Sequence, residues 1–299
     1  MSAAAKSDTL PPPAMNQPHR SQPASALPSV CTEPQLRDTQ TAFDSVAADY
    51  DGPRGNNALI QDMRREMWRW LDIIFTPGSQ LVDIGCGTGL DAVRMAGLGH
   101  QITATDWSPQ MIQRTVDRAA HAQLTARVQA IAAGAQQLGR LEGDEIYDGA
   151  YSNLGPLNCA PDLQQLSRDC ARLLKPGGAL VFSVIGRICP WEILHYLQRR
   201  QWRRVKLRFA RGFVPVSMNK HTIWTHYYGP REFYRSFQRE FTLSHYRGLC
   251  VLVPPPYLGW VRERHARWYE GLWRLDRRIA GWPLLRAMGD HFLIVMQKR

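Results

Sequence analysis

The chain has 299 residues, 44% hydrophobic and 21% charged, with a formal net charge of +11. That is enough apolar material for one large domain or a domain with a cap, and it points to a soluble globular protein. No apolar run approaches the roughly 20 residues that span a bilayer, and the N-terminus lacks the apolar core of a signal peptide, so a cytoplasmic location is expected, with peripheral membrane contact left open.

The first 38 residues are rich in Pro, Ser, Ala and Gln without periodicity, the composition of a disordered leader. From Thr41 to Asp51, Phe43, Val46, Ala47 and Tyr50 recur at helical spacing. Residues 57–75 read as a second helix with Leu59, Met63, Met67, Trp70 and Leu71 on one face, stopped by Pro77-Gly78. Strands and helices then alternate: strand 80–84, helix 89–97, strand 101–105, helix 109–121, strand 127–132, strand 147–152, helix 162–174 and strand 179–185. Such alternation predicts an α/β fold, a parallel sheet with helices on both faces. Phe241–Val253 and His291–Gln297 read as the last two strands, and the segment 186–240 between strand five and these is too long for a plain connection, so it is expected to form a substrate cap. The six cysteines show no Cys-x-x-Cys spacing and no His partner at metal spacing, so free thiols and no metal site are expected.

The sequence Leu81-Val82-Asp83-Ile84-Gly85-Cys86-Gly87-Thr88-Gly89 sets an apolar strand before three alternate glycines. Glycine serves where a ligand must approach the main chain closely, and a strand-to-helix turn aims backbone N–H groups at a polar or anionic ligand. Seventeen residues after Gly89, Asp106 closes the second strand, a position suited to the two hydroxyls of a ribose. The dinucleotide fingerprint would place its third glycine on Leu90, whereas this chain has it at Gly89. That spacing argues against NAD or FAD.

The segment resembles the class I S-adenosylmethionine-dependent methyltransferases, small-molecule branch of the ubiquinone type. Asp83 with Gly85–Gly89 is similar to the family's first motif, Asp106-Trp107-Ser108-Pro109-Gln110-Met111 to its acidic-x-S-x-x-M element, Tyr147-Asp148-Gly149-Ala150 to the start of its fourth strand, and Leu173–Gly178 to its turn into the fifth. The resemblance implies a Rossmann-like, seven-stranded, mostly parallel sheet with one antiparallel strand and an inserted substrate cap. It implies S-adenosylmethionine as cofactor, S-adenosylhomocysteine as product, and a lid helix over the cofactor at Thr41–Asp51. The expected organisation is a leader (1–38), lid helices (39–78), cofactor-binding core (79–186), basic cap (187–240), and final strands with a C-terminal helical insertion (241–299).

Expected cofactor contacts are Tyr50, Asp83, Gly85, Cys86, Gly87, Thr88, Gly89, Asp106, Trp107, Met111, Gln136 and Asn153. Gln136 enters because Ala135 stands where relatives often carry an adenine-binding Asp. After strand four, Ser152–Asn158 lacks the Asn/Asp-Pro-Pro-Tyr/Phe element of many nucleic-acid and protein amino-methyltransferases, which favours a small-molecule acceptor and no nucleic-acid partner. Pro254-Pro255-Pro256-Tyr257 lies far along the chain and reads as a proline-stiffened loop. Residues 187–299 carry 22 Lys+Arg against 7 Asp+Glu. This basic third points to an anionic or membrane-held acceptor, with Asn158, Arg187 and Trp191 as its expected contacts and His226 and Tyr228 as acid/base candidates. The expected reaction is O-methylation of a lipid-like, quinone-like or secondary metabolite. An RNA methyltransferase using the basic third, and a methyltransferase-like scaffold without activity, are the rivals.

Overall fold

The computed structural model describes residues 31–299 apart from Arg54. Seven strands form the central sheet: β1 (Gln80–Ile84), β2 (Gln101–Asp106), β3 (Val128–Ala132), β4 (Tyr147–Ser152), β5 (Leu174–Ile185), then β8 (Phe241–Leu249) and β9 (His291–Lys298), while β6 (Val214–Met218) and β7 (His221–Thr225) make a separate hairpin. The sheet order is β3-β2-β1-β4-β5-β9-β8, and β9 runs antiparallel to both its neighbours. The order reverses between β1 and β4, so the carboxyl ends of these strands open a crevice, the place where open α/β sheets bind ligands.

Four expected helices, at 57–75, 89–97, 109–121 and 162–174, are found within one residue of their bounds. The helices are α1 (Glu33–Val46), α2 (Ala58–Ile74), α3 (Leu90–Gly97), α4 (Pro109–His121), α5 (Leu163–Leu173), α6 (Pro190–Gln198), α7 (Trp202–Leu207), α8 (Pro230–Arg235), α9 (Trp260–Arg264) and α10 (Ala266–Ile279). Asn57 caps α2 by accepting from the Leu59 and Ile60 amides, and Ser108 caps α4 through Met111 N. Both sheet faces are buried, as parallel sheets require. Along β9 the side chains alternate between two cores, Phe292 and Ile294 packing with Phe182, Phe233 and Phe237 while Leu293 and Val295 pack with Leu71, Phe75 and Met95.

Several expected boundaries are corrected, among them the start of β5, at Leu174, and the end of β8, at Leu249. The part of the leader up to residue 30 lies outside the described residues, but α1 begins at Glu33 and not beyond residue 38. Its first turn has Pro34, and Thr32 N donates to Gln35 Oε1 at 2.8 Å; Leu36, Thr39 and Ala42 are buried and Trp224 N of β7 donates to Thr39 Oγ1. The lid helix also ends earlier than expected, at Val46, so that Tyr50 stands in the turn after it. In the expected cap, α8 belongs instead to the sheet, because Phe233 stacks on Phe237 and both pack on Phe182. Within the expected basic cap, residues 190–207 form two short helices, α6 and α7, broken at Arg199–Gln201, where Arg200 takes φ 54°.

Two buried acids on one face of α2 tie down the long insertion between β8 and β9. Asp62 Oδ2 accepts from Tyr269 Oη at 2.9 Å and forms an ion pair with Arg262, whose Nε lies 3.0 Å away; Glu66 receives Arg247 of β8 and Arg277 of α10 at 3.2 and 2.9 Å. Removing one partner of a buried pair strands the other, at a cost of about 3–5 kcal/mol. Glu66→Ala should therefore lower the unfolding free energy by about that amount, read from the urea midpoint, because Arg247 is left buried without its carboxylate.

Candidate active site

A cavity of about 440 Å³ opens above the carboxyl ends of β1, β2, β4 and β5. Its first wall is the glycine loop. Gly85, Gly87 and Gly89 all have positive φ, at 75°, 55° and 80°, the region that favours glycine. The three differ in what a side chain would meet. A Cβ at Gly85 would strike Pro156 at 2.3 Å and one at Gly89 would strike Thr115 at 2.8 Å, whereas at Gly87 the nearest atom is Tyr50 Cε1 at 3.9 Å. Gly87 thus faces open space, while Gly89 serves packing and does not line the cavity.

Asp106 fixes this loop. Its Oδ2 accepts from Gly87 N at 2.9 Å and its Oδ1 from Ser108 N at 2.8 Å, and it lines the cavity. Burial pushes its carboxyl up to about 6, against the two amide bonds that favour the ion. Beside it Trp107, Met111, Ala133, Gly134, Ala135 and Gln136 form an apolar slot with amide edges. Gly134 is needed here, since a Cβ would meet Trp107 Cε3 and the Gln136 amide at 2.6–2.8 Å. The slot suits a flat heterocycle, and Asp106 a diol.

The lid is latched onto these elements. Gln40 Nε2 donates to Trp107 O at 2.8 Å, Ser108 Oγ donates to Asp44, Thr88 Oγ1 donates to Asp51 at 2.9 Å, and Arg118 pairs with Asp51. Leu36, Phe43 and Tyr50 line the cavity beneath the lid, as do Cys86 and Thr88 from the glycine loop.

Asp83 does not line the cavity. It is buried below the glycine loop with Oδ2 unpartnered, and burial, with Asp91 nearby, pushes its carboxyl well above the ordinary range. The acid that lines the cavity in its place is Asp91, at the start of α3, which accepts from Arg64, from Trp68 Nε1 at 2.6 Å and from Asn153 Nδ2 at 3.1 Å. Arg64 and Asn153 line the cavity with it, and Arg64 Nε has no partner. Arg64 and Asp91 were missed because neither lies in a motif; the helical phase of α2, which turns Ile60 and Arg64 toward the loop, is the signal Arg64 offered, and the place of Asp91 in the first turn after the glycine loop is the other.

The far end of the cavity differs most from expectation. Asn158, Arg187, Trp191, His226 and Tyr228 are absent from its wall. Asn158 is a strut between strands, accepting from Ile185 N and donating to the Ile185 and His226 carbonyls. Arg187 is held by Glu232 at 2.9 Å and by Tyr227 O, and Trp191 Nε1 donates to Leu252 O. His226 stacks on Tyr228 with ring centroids 4.1 Å apart and faces Glu232, while Tyr228 is buried in the core. These side chains brace the sheet edge.

In their place the cavity has Arg208, Asp290, His291, Tyr257, Trp260 and Glu263. Arg208 is fully buried and spent: it bonds both oxygens of Glu192, Asp290 Oδ1, and the Gly186 and Asp290 carbonyls. Burial would raise the Asp290 carboxyl, but the Arg208 charge and the His291 bond outweigh it and hold it below the usual carboxylate range. His291 Nδ1 lies 2.9 Å from Asp290 Oδ2 and its Nε2 has no partner. Because β9 is antiparallel, its first residue pairs with Ile185, the last of β5, and so reaches the ligand end of the sheet. Tyr257 of the proline loop is also on the wall, with an unpartnered hydroxyl. Among the described residues no group of three or more His, Cys, Asp and Glu gathers as a metal site, and no helix is long and apolar enough to cross a membrane.

Residues 81–178 match the family model described as "Methyltransferase domain". The chain is 33% identical over 161 residues to a ubiquinone biosynthesis O-methyltransferase of Xanthomonas campestris, a stretch covering 50% of this chain and 62% of that relative. The Xanthomonas oryzae protein of the same description is 33% identical over 158 residues, with the same coverage, so the match spans less than two thirds of these relatives. Among solved structures, the geranyl diphosphate C-methyltransferase of Streptomyces coelicolor aligns at TM-score 0.56 and 16% identity over 90% of this chain and 99% of its own. A SAM-dependent methyltransferase of Methanosarcina mazei aligns at 0.54 and 17% over 77% and 96%. The sheet order and these likenesses agree: residues 81–178 match a methyltransferase domain, and the chain has the fold of solved S-adenosylmethionine-dependent methyltransferases.

Proposed function

We propose that the chain transfers a methyl group from S-adenosylmethionine to a hydroxyl of a small molecule with an apolar body. The observation that carries this is the continuity of one cavity, from the Asp106 and Trp107 wall past the open face of Gly87 to His291 and Tyr257. The residues fit the cofactor. Asp106 would accept from the ribose hydroxyls, Trp107 and Met111 would pack the adenine with Gln136 at its edge, and Arg64, with Nε free, would meet the methionine carboxylate near Asp91 and Asn153. When bound, the cofactor supplies an electrophilic methyl on a sulfonium.

The chain then has three tasks: to align the acceptor oxygen, exclude water and take a proton. Alignment falls to the far wall, where Ile185, Met218 and Ile223 face Tyr257 and Trp260 across the cavity. Water exclusion falls to α1 and the turn carrying Tyr50 and Asp51, latched as described. The proton is suited to His291: Asp290 accepts from Nδ1, which fixes the ring and leaves Nε2 as the basic nitrogen. A hydroxyl acceptor also matches the relatives named as O-methyltransferases. A neutral head group is favoured at this end, because Arg208 is saturated by two carboxylates and Arg187 lies off the wall.

Calorimetry with S-adenosylmethionine tests the cofactor half. Asp106→Ala should weaken binding by about 1.5–3 kcal/mol, the scale of hydrogen bonds to a charged group. The wild-type affinity should also fall as pH drops through about 6, since burial raises this carboxyl and a protonated Asp106 accepts the diol poorly. Equal affinity for Asp106→Ala and wild type at pH 7 would remove the assignment.

The transfer half is tested by incubating a metabolite extract with enzyme and methyl-labelled cofactor, then identifying the labelled product. With that acceptor, His291→Ala should lower kcat by about 10²–10⁴, the usual contribution of a general base, with cofactor affinity unchanged. His226→Ala should leave kcat near wild type and lower the melting temperature, as its stacked position on Tyr228 implies. The reverse pattern would return the chemistry to His226.

A further inference from the structure

The insertion between β8 and β9 has a second face that the cavity does not use. α10 turns Tyr269 and Asp276 inward, with Leu272 and Trp273 packed against the cluster around Leu59 and Met63 of α2. On one flank of that buried stripe Trp268 is 52% and Leu275 46% exposed, and the loop that follows adds Trp282 at 60% and Leu284 at 83%. Four large apolar side chains within 17 residues are left in water, where scattered single ones would be ordinary. Arg264, Arg267, Arg274 and Arg278 are exposed around them and make no ion pair among the described residues, unlike Arg262 and Arg277 on the α2 side.

Tryptophan and leucine flanked by unpaired arginines is the composition of a helix that lies in a lipid interface, apolar tips in the acyl boundary and cations at anionic head groups. From its exposed face and charge, we propose that α10 and residues 280–284 dock on an anionic lipid surface. The positive charge selects the occupant: an apolar protein groove would not require four unpaired arginines, and a nucleic acid would not require Leu284 and Trp282 in the open. Position supports it too. Trp260, the first residue of the short helix α9 that precedes α10, is 53% exposed and also lines the cavity, so the docked face borders the cavity mouth. A molecule dissolved in the bilayer would then enter beside Trp260 without crossing bulk water.

The proposal stands on the surface alone and its test needs no acceptor. The full chain is sedimented with vesicles of phosphatidylcholine, and of phosphatidylcholine with equal phosphatidylglycerol. Pelleting with the anionic vesicles, little with the neutral ones, and release as salt shortens the screening length are expected. Trp268→Ala combined with Trp282→Ala should reduce the bound fraction about tenfold, as should Arg267→Glu with Arg274→Glu. Each variant's melting transition must match the parent's. Should the tryptophan pair fail to fold, Leu284→Ser, at the most exposed position, replaces it. Absence of pelleting, undiminished pelleting of folded variants, or loss of pelleting with Trp202→Ala of α7 alone would overturn the assignment. So would retention of an RNA oligonucleotide, abolished by the arginine changes, in a protein that ignores vesicles.

Discussion

The carboxylate of Asp106 accepts two backbone amides, one from the glycine loop and one from the start of α4. That junction fixes everything around the cofactor half of the cavity. It stands at the end of β2, so the register of the sheet sets its height; it holds Gly87, so the loop's open face is set with it. Ser108, whose amide it receives, caps α4 and donates to Asp44 of the lid helix. Sheet, loop, helix and lid therefore share one charged group. The cost of burying it is visible in its raised titration, and the two amides are what keep it usable near neutral pH.

The cofactor half was legible in the sequence because its parts are local. Strand, glycine loop and terminal acid occupy 26 consecutive residues, from 81 to 106, and each position has a backbone reason for its residue type. Even there, Asp83, which the motif resemblance offered as a contact, is buried by the strand's inward pleat, whereas the first turn of α3 presents Asp91. The sheet was legible for a different reason, since alternation of strand and helix periods survives without any motif.

The acceptor half was not legible because no stretch of sequence contains it. Arg208, Tyr257 and His291 come from three segments brought together by the antiparallel return of β9 and by the insertion before it. Arg187 was misassigned on charge and position alone. Its charge is answered by Glu232, 45 residues further on, a pairing that composition cannot reveal. The same holds for Trp191 and His226, whose types suit recognition and catalysis but whose places in the fold are struts.

Two groups of arginines in the basic C-terminal third differ in their partners. Arg187, Arg208, Arg247, Arg262 and Arg277 face carboxylates, and three of them bind the acids that α2 buries, so this charge holds the insertion to the core. The arginines on the outer side of α10 have no such duty, and they share that side with tryptophan and leucine. An insertion so firmly anchored on one side can present the other as a rigid surface. Because Trp260 joins that surface to the cavity wall, the element that would shape the entrance of the proposed acceptor is the one that would meet the phase in which an apolar acceptor dissolves.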